Sequence, residues 1–208
     1  MYFPPPATVT PIAPPNTKLN NVKTITLNDS QVGDAFALEL SGNNLYLCGT
    51  TVINQQSKST CWIVDVAGRL LKTIVLSDDE DSFGTSIAKI NNSIYVAGIQ
   101  YTGSQSFTTL WITNLNGSFK KTISFSPGIS GEGLSIPMKT FNQKIYIASN
   151  NQGQATLWIT DAYGTILACS ALAESDLISL PFSIVSLNPA LLFQAVKSFS
   201  PVKEQKGL

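Results

Sequence analysis

One phrase returns three times along the chain: WIVDVAG from Trp62, WITNLNG from Trp111 and WITDAYG from Trp158, at spacings of 49 and 47 residues. Two further landmarks recur with it. Tyr46, Tyr95 and Tyr146 each follow an Asn-rich turn, and the glycine of each phrase leads into a third segment, LLKTIVLSD (70–78), FKKTISFSP (119–127) or TILACSALA (165–173). A period in the 40s with about four strands per unit marks a β-propeller blade. A helical repeat of that length needs apolar residues at i, i+3, i+4 and i+7, and these segments lack them.

The strand chemistry agrees. Ile94 to Ala97 and Leu110 to Ile112 are apolar on both faces. Such strands are buried on both sides, as between stacked blades. The third segment alternates instead, with Lys121, Ile123 and Phe125 interleaved by Thr122, Ser124 and Ser126. That pattern suits an edge strand with one wet face, whose lysines discourage edge-to-edge pairing. Asp65-x-x-Gly68, Asn114-x-x-Gly117 and Asp161-x-x-Gly164 read as tight turns. The Asx side chain caps its own backbone there and Gly supplies positive φ.

These signals predict an all-β propeller with strands A to D in each blade. Blade one uses residues near 35–40, then 44–49, 60–65 and 70–78. Blade two uses 85–90, 93–99, 108–114 and 119–126, and blade three 134–141, 144–149, 155–161 and 165–173. VKTITLND (22–29) matches a D strand, while Phe182 to Leu187 and Ala190 to Val196 match A and B strands, so the two ends share a composite fourth blade. Because no Trp-containing C strand follows, a closed four-bladed ring and an open arc are both kept. Residues 1–20 form a Pro-rich extended tail, 21–197 the propeller domain and 198–208 a polar tail.

GDAFALELSGNNLYLCGTT (33–51) and GTSIAKINNSIYVAGIQYT (84–102) resemble bacterial tandem β-propeller repeats. The resemblance covers most of residues 22–197 and implies the fold and an exported protein, secreted or held at the cell envelope. It does not select a function. Blade three departs from the pattern: Ser149 replaces the strand-B glycine and Pro137 interrupts strand A.

Composition narrows the functions. Only 12% of the 208 residues are charged, with Lys+Arg equal to Asp+Glu at 13 each. No electrostatic footprint for nucleic acid follows from that balance. No apolar run approaches the roughly 20 residues of a membrane-spanning helix. The chain has no His, which removes the commonest general base and transition-metal ligand. Asp78-Asp79-Glu80-Asp81 is the one dense acidic run, but it lacks the alternating order of a calcium loop and has no counterpart in the other blades. No cofactor, metal or catalytic set is predicted. Cys48 and Cys61 lie near mirror positions in one hairpin and read as small core residues, with a cross-strand disulfide as the alternative.

The B–C connections read as the longest and least alike loops: 50–60, 99–109 and 150–156. Loops freed from a repeat are the better functional candidates. Their neutral amides and exposed aromatics suit a glycan or protein partner, which selects Gln55, Gln56, Tyr101, Gln105, Phe107, Asn151 and Gln152 as ligand-binding candidates. The expected function is a non-enzymatic binding or scaffolding propeller. A propeller hydrolase or lyase is the alternative, as is a structural repeat that self-associates into homo-oligomers.

Overall fold

The computed structural model describes residues 33–77, 81–118, 120–127, 135–151 and 154–171. The predicted tails, the 22–29 strand and the two strands expected at 182–187 and 190–196 lie outside the described residues. Within them the protein is all-β: three four-stranded antiparallel sheets and no helix. Sheet 1 holds β1 (Gly33–Ser41), β2 (Asn44–Ile53), β3 (Gln56–Asp65) and β4 (Leu70–Val75). Sheet 2 holds β5 (Ser82–Ile90), β6 (Ser93–Thr102), β7 (Gln105–Asn114) and β8 (Lys120–Pro127). Sheet 3 holds β9 (Met138–Phe141), β10 (Lys144–Asn151), β11 (Gln154–Asp161) and β12 (Ile166–Ala171). Each sheet is a meander in sequence order, so strand neighbours in the chain are neighbours in space.

The sheets pack face to face. Tyr46, Cys48, Cys61, Ile63, Ile74 and Leu76 of sheet 1 meet Ile87, Ile94, Val96 and Trp111 of sheet 2 in one core. The opposite face of sheet 2, carrying Tyr95, Ala97, Leu110, Ile112 and Phe125, meets Ile145, Ile147 and Trp158 of sheet 3 in a second. Successive side chains on a strand point to opposite faces, so a strand between two cores is apolar throughout. Trp111 and Trp158 each turn toward the preceding sheet. Trp62 is paired with Leu47 as Trp111 is with Val96, which puts it on the corresponding face of sheet 1.

The Asx-x-x-Gly turns form as the sequence predicts. The N–H of Gly68, Gly117 and Gly164 donates to the carbonyl of Asp65, Asn114 and Asp161, at 2.8, 3.0 and 3.0 Å. The three glycines have φ of 88°, 72° and 78°. Asp65 Oδ1 accepts the Arg69 N–H, Asn114 Oδ1 the Ser118 N–H, and Asp161 Oδ1 the Tyr163 and Thr165 N–H groups. These backbone bonds, Arg69 N–H first for Asp65 and Thr165 N–H first for Asp161, hold both carboxyls below the usual range. The turns of sheets 2 and 3 also pack on the sheet before them. Tyr95 Oη donates to Ala162 O at 2.9 Å and Lys121 Nζ to Tyr163 O at 2.6 Å, so sheet 2 grips the last turn of sheet 3. The lysine expected as an edge guard is thus engaged with the neighbouring sheet.

Two expectations are corrected. The B–C connections are not long loops. The strands run on to two-residue turns, at Asn54-Gln55, with φ of 51° and 66°, and at Gly103-Ser104. The extra length is Thr- and Ser-rich strand, in which the hydroxyls of Thr50, Thr60 and Thr109 donate to carbonyls. Strand A of the third repeat, expected from 134, begins only at Met138. Pro137 has no N–H for a ladder and stands at its start, where its carbonyl accepts the Ala148 N–H at 3.1 Å.

That shortened strand explains Ser149. In sheets 1 and 2 the matching positions are Gly49 and Gly98, where strand A bulges between Ala35 and Ala37 and between Gly84 and Ser86. A Cβ there would fall 1.8 Å from Asp34 O and 1.9 Å from Phe83 O. In sheet 3 β9 pairs with β10 only as far as Ile147, so a side chain fits at Ser149, and its Oγ accepts the Trp158 Nε1–H at 3.1 Å.

Candidate functional site

The hairpin ends of β2–β3, β6–β7 and β10–β11 carry the predicted ligand residues. Gln55 occupies a turn, while Gln56 and Gln105 open β3 and β7; all three are exposed. Asn151 closes β10 and is half-buried, with Oδ1 unpaired among the described residues. Gln152 lies outside the described residues.

The two aromatics are not exposed platforms. Tyr101 is half-buried in β6, packed beside the core between sheets 2 and 3, with its ring edge-on to Phe83 at 6.1 Å and 85°. Phe107 is half-buried in β7, in register with Gln100 and Pro127. Tyr101 is joined to another repeat by a network: its N–H donates to Asp81 O at 2.8 Å, and Asp81 Oδ1 accepts the Ser57 N–H at 2.7 Å. Asp81, the described member of the acidic run, therefore stitches sheet 2 to the hairpin of sheet 1.

Below the turns lies a layer of hydroxyls. Ser82 Oγ accepts the Ser59 N–H at 2.8 Å and is hydrogen-bonded to Ser77 Oγ. Thr50 Oγ1 donates to Ser82 O at 3.2 Å. One contact repeats in all three sheets: Thr60, Thr109 and Thr156 donate to the carbonyls of Lys58, Phe107 and Gln154, two residues earlier, at 3.0, 3.4 and 3.1 Å. These bonds satisfy part of the polar groups that the strands bury; Thr51 Oγ1, Ser59 Oγ and Thr108 Oγ1 have no partner among the described residues.

Sequence reasoning missed Lys58. It is 4% exposed, and among the described residues its Nζ has no hydrogen-bond partner; nor does Oγ1 of Thr51, its cross-strand neighbour. An unpaired buried ammonium is costly. Its signal was hidden because Gln56-Ser-Lys58 reads as solvated loop.

Cys48 and Cys61 are free, fully buried and directly opposite across β2 and β3. Burial pushes the Cys61 thiol up to about 12. It raises Cys48 further, with Cys61 beside it adding to the effect. Such thiols are poor nucleophiles at neutral pH. Among the described residues no three His, Cys, Asp or Glu side chains come together, and no helix is long and apolar enough to cross a membrane.

The chain matches no known family model, and no curated protein matches it significantly.

Proposed function

We propose that the chain is a non-enzymatic β-propeller module, three whole blades plus one shared by its two ends. It presents the hairpin end of its blades to a glycan or protein partner outside the cytoplasm. The stack of three like sheets supports the architecture, with Trp111 and Trp158 each turned toward the sheet before its own. The observation that carries the function is a contrast within each repeat. The frame recurs down to single contacts, as in the threonine-to-carbonyl bonds and the Asx-x-x-Gly turns. The described hairpin tips do not recur: Asn54-Gln55-Gln56 faces solvent in sheet 1 and Gly103-Ser104-Gln105 in sheet 2. Surface that varies over a constant frame is where recognition is placed. Tyr101 and Phe107 belong to the frame, so recognition falls to the exposed amides.

A glycan array probed with the whole protein tests this, with Gln55→Ala, Gln56→Ala and Gln105→Ala as controls. These exposed side chains leave the fold unchanged. Binding that weakens in one or more variants is expected. Binding equal in all three, or no glycan bound by the parent and no loss of any protein partner's affinity in the variants, sinks the reading.

A further inference from the structure

The face of sheet 1 turned away from sheet 2 repeats the face that sheet 2 buries. Register makes Leu38, Leu45 and Leu47 the counterparts of Ile87, Ile94 and Val96. In sheet 2 those three are 8%, 0% and 0% exposed. In sheet 1 Leu38 is 57% exposed and Leu45 and Leu47 are half-buried, with Leu40 exposed beside Leu38 and Trp62 buried on the same face. An apolar sheet face of this kind marks a docking surface.

What covers the matching face of sheet 2 is known. The edge strand β4 contributes Ile74 and Leu76, and the Asn114–Gly117 turn sits on Ile74, with the Gly117 Cβ position 3.2 Å from Ile74 Cγ2. One sheet along, Gly164 sits on Ile123 of β8, and Lys121 binds that turn. Both edge strands carry the same triplet, Lys72-Thr73-Ile74 and Lys121-Thr122-Ile123, followed two residues later by Leu76 or Phe125. The chain carries the triplet once more, Lys23-Thr24-Ile25, followed by Leu27. The connection also has the same length. Ile74 precedes Gly84 by ten residues and Ile25 precedes Ala35 by ten, and Gly84 and Ala35 hold the same place at their bulges.

We propose that residues 22–27 of the same chain dock on this face as an edge strand, with Ile25 beneath the Asp65–Gly68 turn and Lys23 at its carbonyls. Gly68 already holds the φ its counterparts hold, at 88°. A second copy fits less well. Its sheet 3 offers Ser170, paired with Leu157, where Ile74 pairs with Cys61, and a serine leaves the apolar seat unfilled. The assignment rests on the propeller reading but not on any ligand.

The test places single cysteines at residues 24 to 27, as Thr24→Cys, Ile25→Cys, Thr26→Cys and Leu27→Cys, in a Cys169→Ser chain. Their reaction with dithionitrobenzoate is followed in buffer and in urea, with light scattering on the same samples. Docking predicts alternation: the thiols at 25 and 27 are slowed on the order of 100-fold, those at 24 and 26 only slightly. Hydrogen exchange on the unsubstituted protein supplies the second reading, with amides 23–27 protected relative to those of 7–16. Equal reactivity at all four sites, or unprotected amides, overturns the proposal. Protection that appears only in a dimer also overturns it, because the occupant is then another copy. A monomer that shows the alternation but binds no glycan or protein upholds the docking and refutes only the function above.

Discussion

A methyl group added at Gly98 has nowhere to go. Its carbon would lie 1.9 Å from the Phe83 carbonyl oxygen, 2.9 Å from the carbonyl carbon and 3.0 Å from Gly84 Cα. Ordinary carbon–oxygen contact is about 3.3 Å, so β5 must recede by more than ~1 Å. A hydrogen bond stretched by that much is lost, and the two nearest ladder bonds are worth about 2 kcal/mol together. β5 is also held from outside. Ser86 Oγ donates to Ile136 O at 2.6 Å, Thr85 Oγ1 accepts the Ile136 N–H at 2.9 Å, and Ser82 Oγ accepts the Ser59 N–H at 2.8 Å. Relaxation is therefore opposed from both neighbouring sheets, and overpacking adds about 1–3 kcal/mol. Gly98→Ala is expected to cost about 3–5 kcal/mol, a fall in melting temperature of roughly 10 °C for a chain of this size. Ser149→Ala is the internal control. The same place in the third repeat already holds a side chain, so the variant loses only the bond from Trp158 Nε1, about 1–2 kcal/mol. Thermal melts by circular dichroism and urea titrations read both. A Gly98→Ala protein melting within about 2 °C of the parent, or one more stable than Ser149→Ala, refutes the bulge as the reason for glycine.

The turn glycines form a graded series, because Gly103, Gly117 and Gly164 all have positive φ but different surroundings. Gly103→Ala pays only the backbone cost of about 1–2 kcal/mol; Gly117→Ala costs more, and Gly164→Ala most, since its Cβ meets Ile123 Cδ1 at 2.0 Å. Equal urea midpoints for all three remove the turn-on-sheet packing. Alkylation of the native protein labels Cys169 alone, and Cys48 and Cys61 only after unfolding, as read by intact mass. Alkali destabilises through the same two thiols. The unfolded chain loses its thiol protons near pH 8.5 while the folded chain keeps them, so stability falls as pH rises toward about 12, by about 1.4 kcal/mol per unit for each thiol. A Cys48→Ala, Cys61→Ala double variant with an unchanged alkaline slope refutes that assignment.

The parts of the fold readable in the sequence are those fixed by short-range chemistry. Asp161 and Gly164 announce a turn because one side chain caps and the other reaches positive φ, and neither depends on distant residues. Ile94 to Ala97 announce a strand between two cores because both faces are apolar. The bulge was partly legible: glycine at 49 and 98 against serine at 149 is a difference in spelling with a steric cause, but the cause lies on the neighbouring strand. The hairpin extensions were not legible. Thr50 and Thr60 are buried, yet hydrophobic pattern carries no sign of burial achieved through hydroxyl-to-carbonyl bonds. Nor does Asn54-Gln55 resemble a common two-residue turn signal, although both residues adopt its dihedrals.

The same physics explains why the candidate site was only half found. A residue is read as a surface group when its text is polar, and at this end of the sheets polar text is both frame and surface. Tyr101 was assigned to recognition and acts with Asp81 in stitching, while Lys58, assigned to nothing, is buried. What separates the two uses is whether the partner group belongs to the repeat. Thr60, Thr109 and Thr156 find the same carbonyl in every sheet and are frame. Gln55 and Gln105 stand exposed at tips that differ between sheets. On the proposed reading, recognition falls to the residues that periodicity leaves over, and substitutions there are expected to change binding without moving the melting temperature.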